Sequence, residues 1–385
     1  MTRIACFLAL LVSLHLACCS GDAEVVLCEE PCAKGKRCEP QSGLCIDAPD
    51  TTIETANISP VFDARLVDGL WQVSLYDRLG GRFLYGTQAP GGEFSWQAVT
   101  HSPVDPTLTP QMVLLLNDNK PWLLLEQDPG SLVVATRGES GWTITELISF
   151  PGRLSHLHAE TGKDFGTHLC AGLEDGSVIH ASSQDNPPFQ PANLTELGQS
   201  VTARPPCTTT IIGGTPTVLS AGQPMGLLSA SWTADEGWTQ TLLDETSDVI
   251  SMAHHLVDAG LIVAYLDATS GTLKYATNSA GKVEIQVADE GVLEVDQPVL
   301  WPPSVRMASF PLVSSAYMSF YHQTSQSVKT MELQENNSWA LIDQTPDDHL
   351  VFPALAVTAA GEPALLFVRF TPAGTLDLGQ FSPPP

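Results

Sequence analysis

Imidazole and thiol side chains recur at matching places in the middle of the chain. His158 and Cys207 take the same position in two consecutive stretches of similar sequence, and His254 lies one residue past that position in the next stretch. A one-residue slip in strand register would bring all three together, and imidazole with thiolate suits a soft transition metal. The alternative is that the histidines are core residues and that Cys207 forms a disulfide with Cys170.

Carboxylates also recur, at turns. Asp77, Glu126 and Asp267 share one register of a repeated hairpin, and Asp175 lies near it. Oxygen ligands on turns suit calcium, but acidic side chains at such positions also form turns by accepting backbone N–H groups. We expect turn formation and therefore no cofactor, with calcium or a transition metal as the alternatives.

The repeated hairpin is the element that must position these residues. Past Asp50 the sequence consists of short β-branched and aromatic runs broken by Gly, Pro, Asn and Asp, which is typical of all-β proteins. Seven hairpins align on one apolar anchor residue each: Phe83, Leu132, Val178, Leu227, Leu273, Val328 and Leu376. The anchors are 49, 46, 49, 46, 55 and 48 residues apart, which is the period of a four-stranded β-propeller blade.

We therefore predict that residues 51–385 form an all-β propeller of about seven four-stranded blades. A six-bladed ring and two β-sandwich domains are the alternatives. A small residue follows six of the seven anchors by three positions, as at Gly86, and fails only at Met331, while an aromatic residue such as Trp96 follows in five units. We expect the small residue to let adjacent sheets approach and the aromatic ring to cover the gap. Because the chain ends in prolines, we expect residues 51–58 to supply the outer strand of the last blade.

The units resemble those of sialidase-like and related bacterial surface β-propellers, over Ser59 to Pro385. Sialidases of that fold carry Asp boxes of the form S-x-D-x-G-x-T-W and an arginine triad, but this sequence has no such box and no clear grouping of arginines. The G-x-S-x-G, H-E-x-x-H and P-loop patterns are also missing. The sequence therefore favours a non-catalytic binding or scaffold protein over a glycoside hydrolase or lyase, which remains the alternative.

The N-terminal residues predict export. One Arg precedes an apolar run from Ile4 to Leu16, which is too short to span a bilayer and is followed by small residues, as in a secretory signal. The sequence LACC at its end resembles a bacterial lipobox, which implies a lipid on Cys19, although Cys18 stands where Gly, Ala or Ser is usual. Residues 1–18 would then be the signal peptide, and the protein would be held at an outer membrane or cell surface. The alternative is ordinary cleavage and full secretion.

Four cysteines follow this signal within CEEPCAKGKRCEPQSGLC, and they are Cys28, Cys32, Cys38 and Cys45. Zinc sites favour paired C-x2-C motifs in reducing compartments, so two disulfides are the better interpretation, with their connectivity open. So short a segment cannot bury a core and needs covalent links. It resembles the Cys-rich stubs that follow the lipid anchor in many bacterial surface proteins, and residues 19–50 are predicted to be such a tether.

The net charge of the chain and one tryptophan outside the repeat pattern indicate the class of binding partner. The chain carries 43 acidic and 17 basic residues, a formal net charge of −26, which repels phosphate groups and argues against nucleic acid. Trp301 lies beside two prolines and fits no recurring position, so its ring is the candidate for stacking on a glycan or protein surface. We expect a monomer that binds a surface protein or glycan and touches a membrane only through its lipid.

Overall fold

The computed structural model describes residues 36–39, 44–47, 58–77, 81–90, 92–101, 109–117, 119–162, 166–183, 195–199, 204–222, 226–257, 260–279, 282–295, 304–309, 316–346, 350–370 and 376–381. The regular elements in these ranges are all β-strands. Within them no helix has the length and apolar character that a bilayer crossing requires. The signal segment, Cys19, Cys28, Cys32 and Trp301 lie outside the described residues.

The strands form a hairpin followed by a series of antiparallel sheets. The hairpin pairs β1 (Lys36–Glu39) with β2 (Leu44–Asp47), and Cys38 and Cys45 are register partners in it. Blades 1 to 3 comprise β3 (Ile58–Val67), β4 (Leu70–Asp77), β5 (Arg82–Gln88) and β6 (Phe94–His101); β7 (Met112–Asn117), β8 (Lys120–Asp128), β9 (Ser131–Gly138) and β10 (Gly141–Ser149); β11 (Leu154–Gly162), β12 (Gly166–Leu173), β13 (Ser177–Ser183) and β14 (Thr195–Gln199).

The second half of the chain repeats this plan. Blades 4 to 6 comprise β15 (Cys207–Ile212), β16 (Thr215–Ala221), β17 (Leu227–Thr233) and β18 (Gly237–Asp244); β19 (Val249–Val257), β20 (Gly260–Asp267), β21 (Thr272–Ser279) and β22 (Lys282–Asp289); β23 (Val305–Ser309), β24 (Ala316–His322), β25 (Ser327–Leu333) and β26 (Trp339–Pro346). A last sheet contains β27 (Leu350–Val357), β28 (Pro363–Phe370) and β29 (Leu376–Phe381).

The sheets close into a ring. The first strands of consecutive sheets touch one another in turn from β3 to β27, and β27 touches β3 again, so these strands lie innermost. Each gap between neighbouring sheets holds its own cluster of buried apolar residues. The gap between the last sheet and blade 1, for example, contains Leu366 and Val368 against Phe62 and Trp71. Both faces of each sheet are thus covered, which explains the nearly continuous apolar runs in the second strands.

The predicted all-β propeller is confirmed, and the two-sandwich alternative is wrong because the sheets pack face to face around one centre. The expectation of seven four-stranded blades is right for only six units. The seventh sheet has three strands among the described residues. Ile58, at the end of the segment predicted to complete that sheet, belongs to β3, and residues 51–57 lie outside the described ranges.

One recurring pair has a different role from the expected one. Gly86 and Trp96 are register partners on β5 and β6, and a Cβ atom on Gly86 would come within 2.5 Å of the Trp96 ring. In this blade the small residue therefore makes room for the tryptophan of its own sheet rather than for the neighbouring sheet.

Candidate functional site

Polar side chains from separate innermost strands meet at the centre of the ring. The Asp63 carboxylate and the Arg65 guanidinium, both on β3, act electrostatically on Arg306 of β23, although β27 lies between those two strands. Strands that are not neighbours can interact in this way only across the space that the ring encloses. We call the residues that meet there the channel cluster, and they are Asp63, Arg65, His156, His158, Glu160, Thr208, His254 and Arg306.

Strand geometry explains which side chains reach the channel. Along a β-strand every second residue lies on the same face, so Asp63 and Arg65 share one face of β3, and His156, His158 and Glu160 share one face of β11. Sequence reasoning missed Asp63, Arg65, Glu160, Thr208 and Arg306. The sequence held one weak indication of the charged residues among them. Charged side chains at alternate positions of a predicted innermost strand are unsuited to the apolar gaps between sheets, so they are expected to face the channel.

His158 and His254 face blade 4 from its two sides. His158 pairs in register with Cys170, which lies in the gap between blades 3 and 4. His254 pairs with Val263, which lies in the gap between blades 4 and 5. The two rings approach edge to face beside β15, with centroids 5.6 Å apart. The expected register slip is therefore unnecessary, because side chains on opposite faces of blades 3 and 5 point at the same intervening blade.

Hydrogen bonds with β15 fix both imidazoles. The backbone N–H of Thr209 donates to Nδ1 of His158 at 3.2 Å, so the proton of the neutral ring resides on Nε2. On the other side Nδ1 of His254 lies 2.7 Å from the Thr208 hydroxyl, and its Nε2 lies 3.6 Å from Oε2 of Glu160. That Glu160 oxygen is buried and has no hydrogen-bond partner among the described residues.

The electrostatics keep two histidines neutral. Burial, followed by the electrostatic effects of His254, Arg65, His156 and Arg306, holds the pKa of His158 well below its usual value. Burial and the Arg306 guanidinium lower the pKa of His156 to about 4, against the effect of a hydrogen bond with the Cys207 backbone. Near neutral pH the fixed positive charges of the channel are therefore those of Arg65 and Arg306.

The charged groups of the cluster differ in how far they are already paired. Asp63 accepts hydrogen bonds from the backbone N–H groups of Ala64 and Leu114, both at 2.9 Å, and from the Arg65 guanidinium at 2.7 Å. Arg306 is only partly exposed, and in the described part of the chain its guanidinium has no hydrogen-bond partner. The cluster thus combines one satisfied carboxylate with an open guanidinium.

The hypothesis of a transition metal at His158, Cys207 and His254 is wrong. The two imidazoles do meet, but Cys207 is joined to Cys170 by a disulfide, so it has no thiolate to offer. Among the described residues no group of three or more His, Cys, Asp or Glu side chains could hold a metal ion. The disulfide that the sequence offered as the alternative is present, and it links β12 of blade 3 to β15 of blade 4.

The turn carboxylates are occupied by protein donors, which leaves calcium without support. Glu126 accepts backbone N–H groups from Gln111, Gly130 and Leu154. Asp267 accepts the N–H of Thr269 two residues on, as in an Asx turn, and pairs with Lys274 at 2.8 Å. These acids tie turns to the start of innermost strands, as the turn-forming interpretation expects.

A second histidine pair lies away from the channel, in the gap between blades 3 and 4. Nδ1 of His168 and Nε2 of His180 are 3.2 Å apart, and both residues are buried. Burial and the neighbouring His168 lower the pKa of His180 to about 3. Gln72 and Tyr85 form the corresponding hydrogen-bonded pair in blade 1, as the strand register shows.

Comparison with known proteins finds similarity to solved structures only. No protein-family model and no curated protein sequence matches this chain. Among solved structures, AofleA from Arthrobotrys oligospora aligns with a TM-score of 0.50 and 8% identity, over 84% of this chain and 94% of that one. The fucose-recognising six-bladed lectin of Aleuria aurantia aligns with a TM-score of 0.49 and 12% identity, over 77% of this chain and 98% of that one. The SapL1 lectin, solved with α-methyl fucoside, gives 0.47 and 12%, over 76% and 97%. At such identities the similarity is one of fold alone.

Proposed function

We propose that this protein is a non-catalytic glycan-binding propeller that takes its ligand at the channel cluster. One observation carries the proposal, namely the set of open donors and acceptors that non-adjacent innermost strands bring together. Arg306 and Nε2–H of His158 are donors without a hydrogen-bond partner among the described residues, and the Glu160 side chain, which is 38% exposed, presents its carboxylate as an acceptor. Sugar hydroxyl groups both donate and accept, so they match such a mixed set better than a purely basic or acidic ligand does.

The recessed position of the cluster favours a glycan over a folded partner. Protein interfaces bury broad surfaces with an apolar centre. The groups described here instead converge on the space inside the ring, a geometry that suits a small group such as a terminal sugar better than a broad folded surface. A small ligand held by a few placed polar groups is the usual arrangement of such concave sites.

Binding is favoured over hydrolysis because the carboxylates are not arranged as an acid and base pair. Glycosidases place two carboxyl groups on either side of the scissile bond, and one of them must carry a proton. Asp63 accepts hydrogen bonds from Arg65 and from two backbone amides, so its oxygens are occupied by donors of the protein. Glu160 is then the only channel carboxylate among the described residues that is open to a substrate.

A glycan array with the propeller domain tests the proposal. We expect retention of defined glycans without release of reducing sugar from them. The variant Glu160→Gln should weaken retention, and Glu284→Gln, on the exposed outer strand β22, should not. Release of reducing sugar by the wild type would identify a hydrolase, and failure to retain any glycan would refute the proposal.

Export and anchoring belong to the same proposal. Its support is the signal-like N-terminus, the lipobox resemblance at Cys19 and the cysteines Cys28, Cys32, Cys38 and Cys45 that follow. Mass spectrometry of the mature protein should find an N-terminal Cys19 with added acyl mass. An unmodified N-terminus at Ser20 or later would contradict the lipid anchor and leave a secreted protein.

A further inference from the structure

We infer that the channel cluster selects glycans that carry a carboxylate, and that Arg306 forms the ion pair with it. This inference rests on the proposed function, because it names the chemical class of glycan that the same site takes.

The first step of the argument is the state of Arg306. A guanidinium remains charged in proteins and presents a planar fork that matches a carboxylate with two parallel hydrogen bonds. Within the described ranges this fork has no hydrogen-bond partner, and burial lowers the pKa of the group. An unpaired charge in a recessed position is costly, so a ligand anion that pairs with it gains more than it would on an open surface.

The second step is that none of the described residues substitutes for that anion. Asp63 is close enough to favour the charged form of Arg306, but it contacts other groups. Its Oδ1 accepts from Ala64 and Arg65, and its Oδ2 accepts from Leu114. Moving Asp63 onto Arg306 would leave the Leu114 amide of β7 without its acceptor. Among the described residues, the hydrogen bonds of Asp63 therefore leave the Arg306 guanidinium without a partner.

The third step is the direction of polarity across the channel. Arg65 and Arg306 both act electrostatically on His158, and the Glu160 carboxylate lies 3.6 Å from Nε2 of His254. A ligand carboxylate is attracted to the arginines and repelled by Glu160. Hydroxyl groups of the same sugar can instead donate to the Glu160 carboxylate, whose side chain is 38% exposed. The site thus orients an acidic sugar. A simple anion would make the contact with Arg306 but not the hydrogen bonds between sugar hydroxyl groups and Glu160.

The fourth step limits how many charges the ligand carries. The whole chain has a net charge of −26, so it repels a polyanion along the full length of that ligand. A single carboxylate that reaches the arginines gains their attraction with little of that cost. A glycan with one acidic residue at its end fits this balance, and a densely sulfated chain does not.

Calorimetric titration of the propeller domain with matched ligands tests the inference. The probes are methyl glucuronide, methyl glucoside and sodium acetate, so that an acidic sugar, its neutral counterpart and a free carboxylate are compared. We expect the acidic sugar to bind at least about tenfold more tightly than either of the others. Arg306→Gln should reduce this preference to about twofold or less, Arg306→Lys should keep part of it, and the exposed outer-strand variant Lys282→Ala should keep all of it.

The outcomes separate this inference from the proposed function. Equal binding of the acidic and neutral sugars by the wild type, or an undiminished preference in Arg306→Gln, would overturn the inference while glycan binding stands. Acetate binding as tight as that of the acidic sugar would show a simple anion site and overturn it as well. Binding of neither sugar, together with an empty glycan array, would refute the proposed function itself. Thermal melting of each variant shows that lost binding does not reflect lost folding, and Arg306→Lys provides the second variant.

Discussion

The imidazole of His180 lies edge-on against the indole of Trp238 in the next blade, with ring centroids 4.7 Å apart. Tyr85 meets Trp142 in the same way between blades 1 and 2, and Tyr275 meets Trp339 between blades 5 and 6. A ring at this position of every second blade therefore contacts the tryptophan of the blade that follows. Blade 3 differs in having an imidazole where blades 1 and 5 have a phenol. Because an imidazole can take up a proton at mildly acidic pH, the packing between blades 3 and 4 depends on pH.

Acid should destabilise the protein through His180. Its pKa is about 3 in the folded state and near 6.5 in the unfolded state, so between these values the unfolded chain binds more protons. The stability that the neutral ring contributes is complete above pH 6.5 and is lost as the pH falls towards 3, by up to about 1.4 kcal/mol per pH unit. Denaturant unfolding at pH 7 and pH 5 measures the loss.

A paired substitution isolates this effect. His168→Gln with His180→Tyr installs the pair that blade 1 already uses, Gln72 with Tyr85, and keeps a ring against Trp238. We expect the double variant to lose less stability than the wild type between pH 7 and pH 5. Some dependence will remain, because His156 and His255 also have lowered pKa values. An identical pH dependence in both proteins would show that the pair is not the sensor.

Removal of the disulfide should loosen the gap between blades 3 and 4. Cys170 and Cys207 close a loop with a sequence separation of 37, and a crosslink of that span contributes about 3–4 kcal/mol by restricting the unfolded chain. The double variant Cys170→Ala, Cys207→Ala should unfold at lower denaturant concentration than the wild type. Reductant should lower the unfolding midpoint of the wild type and leave that of the variant unchanged. Thiol titration in denaturant before reduction checks the premise, which fails if these two cysteines react.

Glu126→Gln should destabilise blade 2. The carboxylate accepts three backbone N–H groups, from Gln111, Gly130 and Leu154, and an amide would point its own N–H₂ group at one of them. The expected loss is about 2 kcal/mol, the usual cost of a buried donor left without an acceptor. Glu146→Gln, at an exposed position of β10, is the matched control and should change the unfolding free energy little. Equal effects would mean that the hydrogen bonds to Glu126 do not matter.

Gly172→Ala should strain the packing of β12 against the segment that enters blade 4. A Cβ atom on Gly172 would lie 2.1 Å from the carbonyl oxygen of Pro205, so backbone must move to admit it. We expect a loss of about 1–3 kcal/mol in thermal or denaturant unfolding. At Gly138 the nearest atom to an added Cβ is the Gly141 oxygen at 3.6 Å, so Gly138→Ala should be tolerated. A stable Gly172→Ala protein would contradict the close approach.

The fold was largely predictable and the site was not, for one physical reason. Strand formation and blade period depend on residues close in sequence, so apolar runs, turn glycines and anchors such as Phe83 and Leu273 indicated them. The approach of Arg65 to Arg306 depends on the curvature that brings the first and sixth blades, with the last sheet between them, within reach of each other across the enclosed space. No local pattern encodes that distance. His254 shows the same limit. Its position in the strand indicated which face of the sheet it lies on, but its approach to His158 beside blade 4 follows only from the closed ring.

The apolar clusters that fill the gaps one by one have a consequence for how this domain fails. No cluster joins more than two sheets, so the ring has no shared centre of stability and behaves as a circle of nearest-neighbour couplings. A defect in one gap weakens two sheets directly and reaches the others only by letting the circle open. Because closure holds each blade from both sides, the first break removes the most cooperativity, and the blades on either side of it then fray as the ends of a linear array do.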